Sequence, residues 1–83
     1  MENGVLMLHI LSPEKTLFKG KVSQVRLPGT KAPFTVLYNH APVITTLCAG
    51  DLVWNSNGVE HRVNIKGGFA DVVENKVTAC VEI

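Results

Sequence analysis

Apolar residues recur at every second position through most of this 83-residue sequence, in short runs separated by turn residues. In the stretch VEHRVNIK, the residues Val59, His61, Val63 and Ile65 alternate with charged or polar neighbours, and the stretch KVTACVEI repeats the pattern. Successive side chains of a strand point to opposite faces of a sheet. The period of two therefore predicts half-buried β-strands, and no window of the sequence has the 3.6-residue period of a helix.

Turn signals divide the sequence at short intervals. Asn57-Gly58 and Glu74-Asn75 each predict a tight β-hairpin. Lys19-Gly20-Lys21 predicts a further turn, and Gly67-Gly68 predicts a bulge or a sharp corner. Regular short strands with such turns are typical of an all-β sandwich or small barrel. The predicted strands are residues 5–10, 15–19, 21–27, 34–38, 43–48, 51–55, 58–66, 69–73 and 76–82.

Length and composition favour a binding or structural module. We expect residues 1–83 to form one domain with a small core, in which a deep and dry catalytic cleft is hard to build. Only 6% of the residues are aromatic and the net charge is +1, which argues against a nucleic-acid binder. The sequence has neither an apolar run of membrane-spanning length nor a signal peptide, which predicts a cytoplasmic or peripheral protein.

Charge is distributed unevenly along the chain. Residues 1–50 carry five basic and two acidic side chains, whereas residues 51–83 carry three basic and five acidic ones. Two explanations of this asymmetry stay open. It arises by chance, or it gives the protein a mildly basic end that meets an acidic partner. The two cysteines, Cys48 and Cys80, fit neither a disulfide framework nor a zinc motif, and we predict buried free thiols in a reducing compartment.

No catalytic, cofactor-binding or metal-binding site is predicted. The three histidines, His9, His40 and His61, are far apart in sequence and have no ligand spacing. His61 falls on the apolar side of its strand, which favours a packed core or edge histidine over a metal ligand, and the same holds for His9. Gly67-Gly68 is not followed by the Lys-Ser/Thr and helix of a phosphate-binding loop, and no serine lies in a nucleophile elbow.

Two segments have the composition of stiff loops. LPGTKAPF, residues 27–34, contains two prolines and a glycine, and YNHAPV, residues 38–43, places a proline after a histidine. Because proline fixes φ, both segments should be rigid. Rigid, partly apolar loops suit a docking surface, since little entropy is lost on binding. Plain corner-turning between strands explains the same composition.

Three longer segments carry motifs in a fixed order over roughly residues 5–82. ILSPEKTLFKGKV contains Ser-Pro-Glu and Phe-x-Gly-x-Val, and VRLPGTKAPFTVLYNHAPVITTLCAGDL contains Leu-Pro-Gly, Phe-x-Val-Leu, His-Ala-Pro and Leu-x-x-Gly. IKGGFADVVENKVTACVE contains Gly-Gly-Phe and an Asn-x-Val-Thr hairpin. Together these motifs resemble the N-terminal domain of the epsilon subunit of F-type ATP synthases, the delta subunit in mitochondrial naming.

The resemblance implies a flattened β-sandwich of about ten strands in two sheets, at the foot of the central stalk. It implies a non-catalytic rotor subunit without a cofactor, which binds the gamma subunit with one side and the c-ring with its bottom loops. The catalytic alpha and beta subunits are then reached through gamma. Such a subunit couples ion translocation to ATP synthesis at the cytoplasmic face of the bacterial membrane, which it meets only through the c-ring.

By motif position, the two stiff loops map to the surfaces that face the c-ring and the foot of gamma. His40 is then a contact residue held in place by Pro42, and Lys31 lies in the ring-facing loop, where it would suit an acidic partner. The partner-contact residues implied are Lys31, Ala32, Pro33, Tyr38, Asn39, His40, Ala41 and Pro42. The residues expected to shape the chain or fill its core are Gly29, Gly67, Gly68 and Phe69.

The sequence also departs from the family. Ala32, Pro33 and Thr35 stand where the family often has glycines, which predicts a stiffer ring-facing loop. The family usually continues into a C-terminal helical hairpin that brakes ATP hydrolysis and in some members binds ATP. This sequence stops at Ile83, so we expect a sandwich-only subunit without that brake.

Two other classes stay open. A free-standing β-sandwich adaptor would bind another protein, or a glycan if it exposed a row of aromatic side chains, which Trp54 and Tyr38 alone do not provide. A small hydrolase or metal-binding enzyme would need a convergent polar cluster. The histidines could supply one only if folding brought them together.

Overall fold

The computed structural model describes residues 4–83. All regular elements in this range are β-strands, which confirms the all-β prediction. Residues 4–83 contain nine strands, the number that the sequence predicts and close to the ten that the resemblance implies. The strands are β1 (Leu6–Leu11), β2 (Thr16–Val22), β3 (Gln24–Leu27), β4 (Phe34–Val36), β5 (Val43–Leu47), β6 (Gly50–Ser56), β7 (Val59–Ile65), β8 (Gly67–Val73) and β9 (Lys76–Glu82).

The strands form the two layers of a flattened sandwich, as predicted. The five-stranded sheet has the order β2-β1-β9-β8-β5, and the four-stranded sheet has the order β4-β3-β6-β7. Neighbouring strands run antiparallel except β1 and β9, which pair in parallel in the middle of the five-stranded sheet. The molecule measures 37 × 23 × 18 Å along its principal axes.

The core lies between the sheets and follows from the period of two. In β9 the side chains of Val77, Ala79 and Val81 all point inward and are buried, as the alternation predicted. Because each strand presents one apolar side to the other sheet, the buried residues form one continuous cluster. Its members are Leu6, Leu8, Ile10, Val22, Val25, Leu27, Val36, Leu47, Leu52, Trp54, Ile65, Ala70, Val72, Val77, Ala79 and Val81.

Both predicted hairpins are confirmed. The β6–β7 turn has positive φ at Asn57 and Gly58, and the β8–β9 turn has positive φ at Glu74 and Asn75. Two consecutive left-handed residues are the signature of the type I′ turn, whose twist matches that of the paired strands. Asparagine and glycine tolerate this conformation with little strain, and they supply both residues of the first turn but only Asn75 of the second, where Glu74 takes the other left-handed position.

The predicted turn at Lys19-Gly20-Lys21 is wrong. These residues lie inside β2, and the chain instead leaves the five-stranded sheet at Ser23 and enters the four-stranded sheet as β3. The Ser23 N–H and hydroxyl both donate to the Asn55 carbonyl, at 2.9 and 3.3 Å. Gly20 provides room rather than a turn, since a Cβ on it would lie 3.2 Å from the ring of Phe18.

Gly67-Gly68 forms the predicted corner. The chain leaves the four-stranded sheet at Ile65 and begins β8 in the five-stranded sheet at Gly67. Gly68 has a φ of 148°, and a Cβ on it would overlap the Cys80 carbonyl oxygen and the Val81 Cα. Only glycine fits this crossing between the two layers.

Three predictions about buried side chains are wrong. Phe69 does not fill the core: it is 53% exposed, because the strand alternation turns Ala70 and Val72 inward and Phe69 outward. Cys48 is exposed, because β5 ends at Leu47 and the next residue begins a turn. Cys80 is only half-buried, because it lies on the outer face of β9.

No element within residues 4–83 is a helix that combines the length and the apolar character needed to cross a membrane.

We expect Gly68→Ala to lower the free energy of unfolding by about 2 kcal/mol or more, or to prevent folding. The new methyl group would overlap the β9 backbone, and alanine would be strained at the positive φ of residue 68. Gly67→Ala is the matched control. Its nearest neighbour, the Leu47 carbonyl oxygen, is 3.4 Å from the added Cβ, so its cost should stay below about 1 kcal/mol. Urea unfolding measures both, and equal stabilities for the two variants would contradict this account.

Candidate docking surfaces

The structure brings the two stiff segments together at one end of the sandwich. We call residues 28–33 the Lys31 loop and residues 37–42 the His40 loop. Lys31, Ala32, Pro33 and His40 line one shallow pocket, and the Phe34 and His40 rings lie 6.4 Å apart between their centroids. Tyr38, Asn39, Ala41 and Pro42 do not line that pocket.

The Lys31 loop is attached to the edge of β5. The Thr30 N–H donates to the Thr46 carbonyl at 3.0 Å, and the hydroxyls of these two threonines hydrogen-bond at 2.9 Å. The Cys48 N–H donates to the Pro28 carbonyl at 2.9 Å, and Gly29 forms a single bridge with Leu47. These bonds join the end of β3 to the other sheet, so this corner of the sandwich is closed.

Gly29 allows the Lys31 loop to fold back on itself. A Cβ on Gly29 would lie 2.6 Å from the Ala32 carbonyl oxygen and 3.1 Å from the Phe34 ring. Any side chain here would therefore collide with the backbone of the same loop and with Phe34, and the loop could not keep this fold. This geometry supports the structural role expected of Gly29.

The His40 loop owes its shape to bonds within itself. The His40 N–H donates to the Leu37 carbonyl at 3.1 Å, and Asn39 has a left-handed φ of 66°. The His40 Nδ1 lies 2.7 Å from the Ala41 carbonyl oxygen. Because a carbonyl only accepts, we assign the hydrogen to Nδ1, which makes Nε2 an acceptor in the neutral ring.

The predicted contact residues are accessible. His40 is half-buried, and the other seven are exposed to solvent. The exposure of Tyr38 and of its neighbour Leu37 follows from the end of β4, which lies at Val36 and not at residue 38 as the sequence predicted. The loop pair therefore presents a cation, an imidazole and several apolar side chains to solvent.

The outer face of the five-stranded sheet is a second accessible surface, whose residues were not predicted from the sequence. Ile44 of β5 is 78% exposed on it, beside Asp71 and near Phe69 of β8, and Phe69 pairs with Cys80 of β9. Large exposed apolar side chains grouped on one sheet mark an interaction site. The run FADVV is the sequence feature that could have indicated this surface. Its apolar residues occupy both faces of a strand, although only one face packs into the core.

One end of this outer face is basic. Met7 of β1 lies on it, because its neighbours Leu6 and Leu8 point into the core. Met7 pairs with Lys21 on one side and with Lys76 on the other. An apolar side chain flanked by two lysines suits a partner that offers an apolar ridge with acidic residues beside it.

The outer face of the four-stranded sheet is polar instead. The Arg62 guanidinium donates to Glu60 at 2.7 Å and to Asp51 at 3.1 Å, and the Asn64 amide donates to Asp51 at 3.0 Å. The hydrogen bond and charge of Glu60, followed by Asp51, raise the pKa of Arg62 above its usual value. Exposed pairs of this kind contribute little stability, and they leave this face well hydrated.

The histidines do not meet. His9 lies on the outer face of β1, His40 lies in its loop, and His61 stacks on Trp54 with ring centroids 5.6 Å apart. His61 is an exposed edge-strand residue, consistent with the packed edge histidine expected from the sequence. Within the part of the chain that the structure describes, no three His, Cys, Asp or Glu residues are grouped as a metal site requires.

The sequence is similar to a known protein family and to individual proteins of known name. A family model described as ATP synthase, Delta/Epsilon chain, beta-sandwich domain matches residues 5–83. The ATP synthase epsilon chain of Hyphomonas neptunium is 44% identical over 78 residues, and that of Nitratidesulfovibrio vulgaris strain DP4 is 40% identical over 77 residues. Each match covers 93% of this chain, which spans 58% of the length of each relative.

Solved structures share the fold. A chain of the Euglena gracilis mitochondrial ATP synthase, solved as OSCP/F1/c-ring in rotational state 1, matches 93% of this chain and 50% of its own length with a TM-score of 0.87 and 20% identity. A chain of the Tetrahymena thermophila mitochondrial ATP synthase central stalk and c-ring matches 94% of this chain and 63% of its own length, with a TM-score of 0.78 and 15% identity. The family match over residues 5–83 shows that this chain belongs to the delta/epsilon-chain β-sandwich family of ATP synthase.

Proposed function

We propose that this chain is a non-catalytic central-stalk subunit of an F-type ATP synthase. In this role it binds the gamma subunit with the outer face of the five-stranded sheet and the c-ring with the Lys31 and His40 loops. It turns with both partners and couples ion translocation to ATP synthesis. The proposal rests above all on one observation, that an exposed apolar sheet face lies beside two solvent-accessible loops that are hydrogen-bonded to the sandwich.

The sheet face supports the assignment to gamma. Its apolar half, around Ile44 and Phe69, needs a partner that removes it from water, and long-lived partners cover such surfaces in subunit assemblies. Its basic half, around Lys21 and Lys76, narrows the partner to one with acidic residues beside its apolar contact. A stalk subunit that remains attached during rotation is a partner of this kind.

The loops support the assignment to the c-ring. They present the exposed Lys31 and the half-buried His40 imidazole, with the Lys31 loop hydrogen-bonded to β5 and the His40 loop hydrogen-bonded to Asn75. Polar groups held in place by such bonds suit the polar loops of another protein. The Euglena and Tetrahymena assemblies, which share this fold, both contain a c-ring. The bacterial epsilon chains related in sequence support a place at the cytoplasmic face of the cell membrane, with the membrane reached only through the ring.

We expect Ile44→Asp to weaken binding to purified gamma subunit by at least about tenfold, because the carboxylate loses its water inside an apolar contact. Val59→Asp is the matched control. Val59 is also β-branched and 54% exposed, but it lies at the edge of the four-stranded sheet, and its replacement should leave the affinity within about twofold. Titration calorimetry measures both, and equal losses would remove gamma from the outer face.

We expect the double variant Lys31→Ala, His40→Ala to weaken binding to detergent-solubilised c-ring by about tenfold while gamma binding is retained. Both side chains lie outside the core, so the free energy of unfolding should change by less than about 1 kcal/mol. Surface plasmon resonance with each partner separates the two surfaces. If the folded wild-type chain bound neither gamma nor the c-ring, the proposed function would be overturned and a free-standing adaptor would be favoured.

A further inference from the structure

Two asparagines that are 36 residues apart in sequence hold each other. The Asn39 N–H donates to the Asn75 Oδ1 at 2.6 Å, and the Asn75 Nδ2 donates to the Asn39 Oδ1 at 3.3 Å. We call this reciprocal pair the asparagine clasp. It connects the His40 loop to the β8–β9 turn, which is part of the five-stranded sheet.

The clasp depends on backbone conformation at both ends. Asn39 has a φ of 66° and Asn75 a φ of 62°, both in the left-handed region that most residues avoid. Asparagine tolerates this region and carries both a donor and an acceptor on a short side chain. The same residue type therefore permits the turn and makes the bond.

Asn75 also reaches the outer face of the sheet. Its main-chain carbonyl accepts the Met7 N–H at 2.9 Å, and Met7 lies on that face between Lys21 and Lys76. One residue thus bonds the His40 loop with its side chain and the outer-face strand β1 with its main chain. It is a direct connection between the two surfaces described above.

The other bonds of the His40 loop cannot replace the clasp. The bond from His40 to Leu37 and the contact of the imidazole with Ala41 both lie within the loop. They fix its shape but not its position on the sheet. Among the hydrogen bonds of residues 4–83, those that join residues 37–42 to the rest of the molecule are the two made with Asn75.

We propose that Asn75 is a positioning residue that sets where the His40 loop stands relative to the outer face of the five-stranded sheet. The inference rests on the proposed function, in which the loop and the face bind different partners. The Asn75 side chain bonds Asn39 within the His40 loop, so we expect it to act on the loop and not on a partner directly. Its contribution is to order the loop before the c-ring arrives, so that less entropy is lost on docking.

Asn75→Gly tests this role, because glycine keeps the left-handed turn and deletes only the side chain. We expect it to weaken binding of the 83-residue chain to detergent-solubilised c-ring by about tenfold, because one or two hydrogen bonds that order the loop are lost. Binding to gamma should stay within about twofold of the wild-type affinity. Asn57→Gly is the matched control. It makes the same replacement in the other type I′ turn, away from the clasp, and should leave both affinities unchanged.

Asn75→Asp provides the conservative rescue. It retains an oxygen for the Asn39 N–H, and the Asn39 amide can turn so that its Nδ2 donates to the second carboxylate oxygen. Most of the c-ring affinity should therefore return. Nuclear magnetic resonance gives a readout that does not depend on any partner. In Asn75→Gly the Asn39 amide should exchange with solvent faster and the backbone order parameters of residues 37–42 should fall, whereas Asn57→Gly should change neither.

The outcomes separate the two proposals. Equal c-ring affinity for wild type and Asn75→Gly would overturn the positioning role and leave the proposed function intact. Absence of c-ring binding by the wild type would overturn the ring-binding function. The positioning role of Asn75 would then be tested by the amide exchange and order parameters of the loop alone. Unchanged exchange and order in residues 37–42 of Asn75→Gly would overturn the positioning role in either case.

Discussion

Burial of one side of every strand against the opposite sheet is the constraint on which the rest of the molecule depends. A chain of this size has few interior positions, and alternating aliphatic residues such as Val77, Ala79 and Val81 fill them. The backbone polar groups between neighbouring strands are paired within the two sheets, so the outward side chains of these strands are free for other uses. Both candidate docking surfaces are built from positions that the core does not need.

The same constraint explains how far the sequence could be interpreted. Strict alternation identified β7 and β9, and turn residues with left-handed conformations identified both hairpins. Where a run is apolar at consecutive positions, as in FADVV, periodicity does not say which side faces inward, and Phe69 was wrongly assigned to the core. Gly20 was misread because a glycine that makes room for an aromatic ring looks, in sequence, like a glycine that turns the chain.

The two docking loops were found from composition, but their arrangement was not. Prolines and a histidine indicated rigid segments, whereas the attachment of the Lys31 loop to β5 depends on pairing between residues 28–30 and 46–48. The clasp between Asn39 and Asn75 likewise joins residues that no local pattern connects. Contacts between distant parts of the chain follow from the topology of the two sheets, and topology is what a single sequence specifies least directly.

The parallel pairing of β1 with β9 has a consequence for the order of events during synthesis. β9 lies at the centre of the five-stranded sheet, with the β1–β2 hairpin on one side and the β8–β5 pair on the other. These halves cannot join until residues 76–82 have left the ribosome. Until then the apolar sides of β1, β2, β5 and β8 lack their completed sheet and are exposed to other chains. The lysines of β2, at the outer edge of the sheet, then act as protection against pairing with other nascent chains before assembly begins.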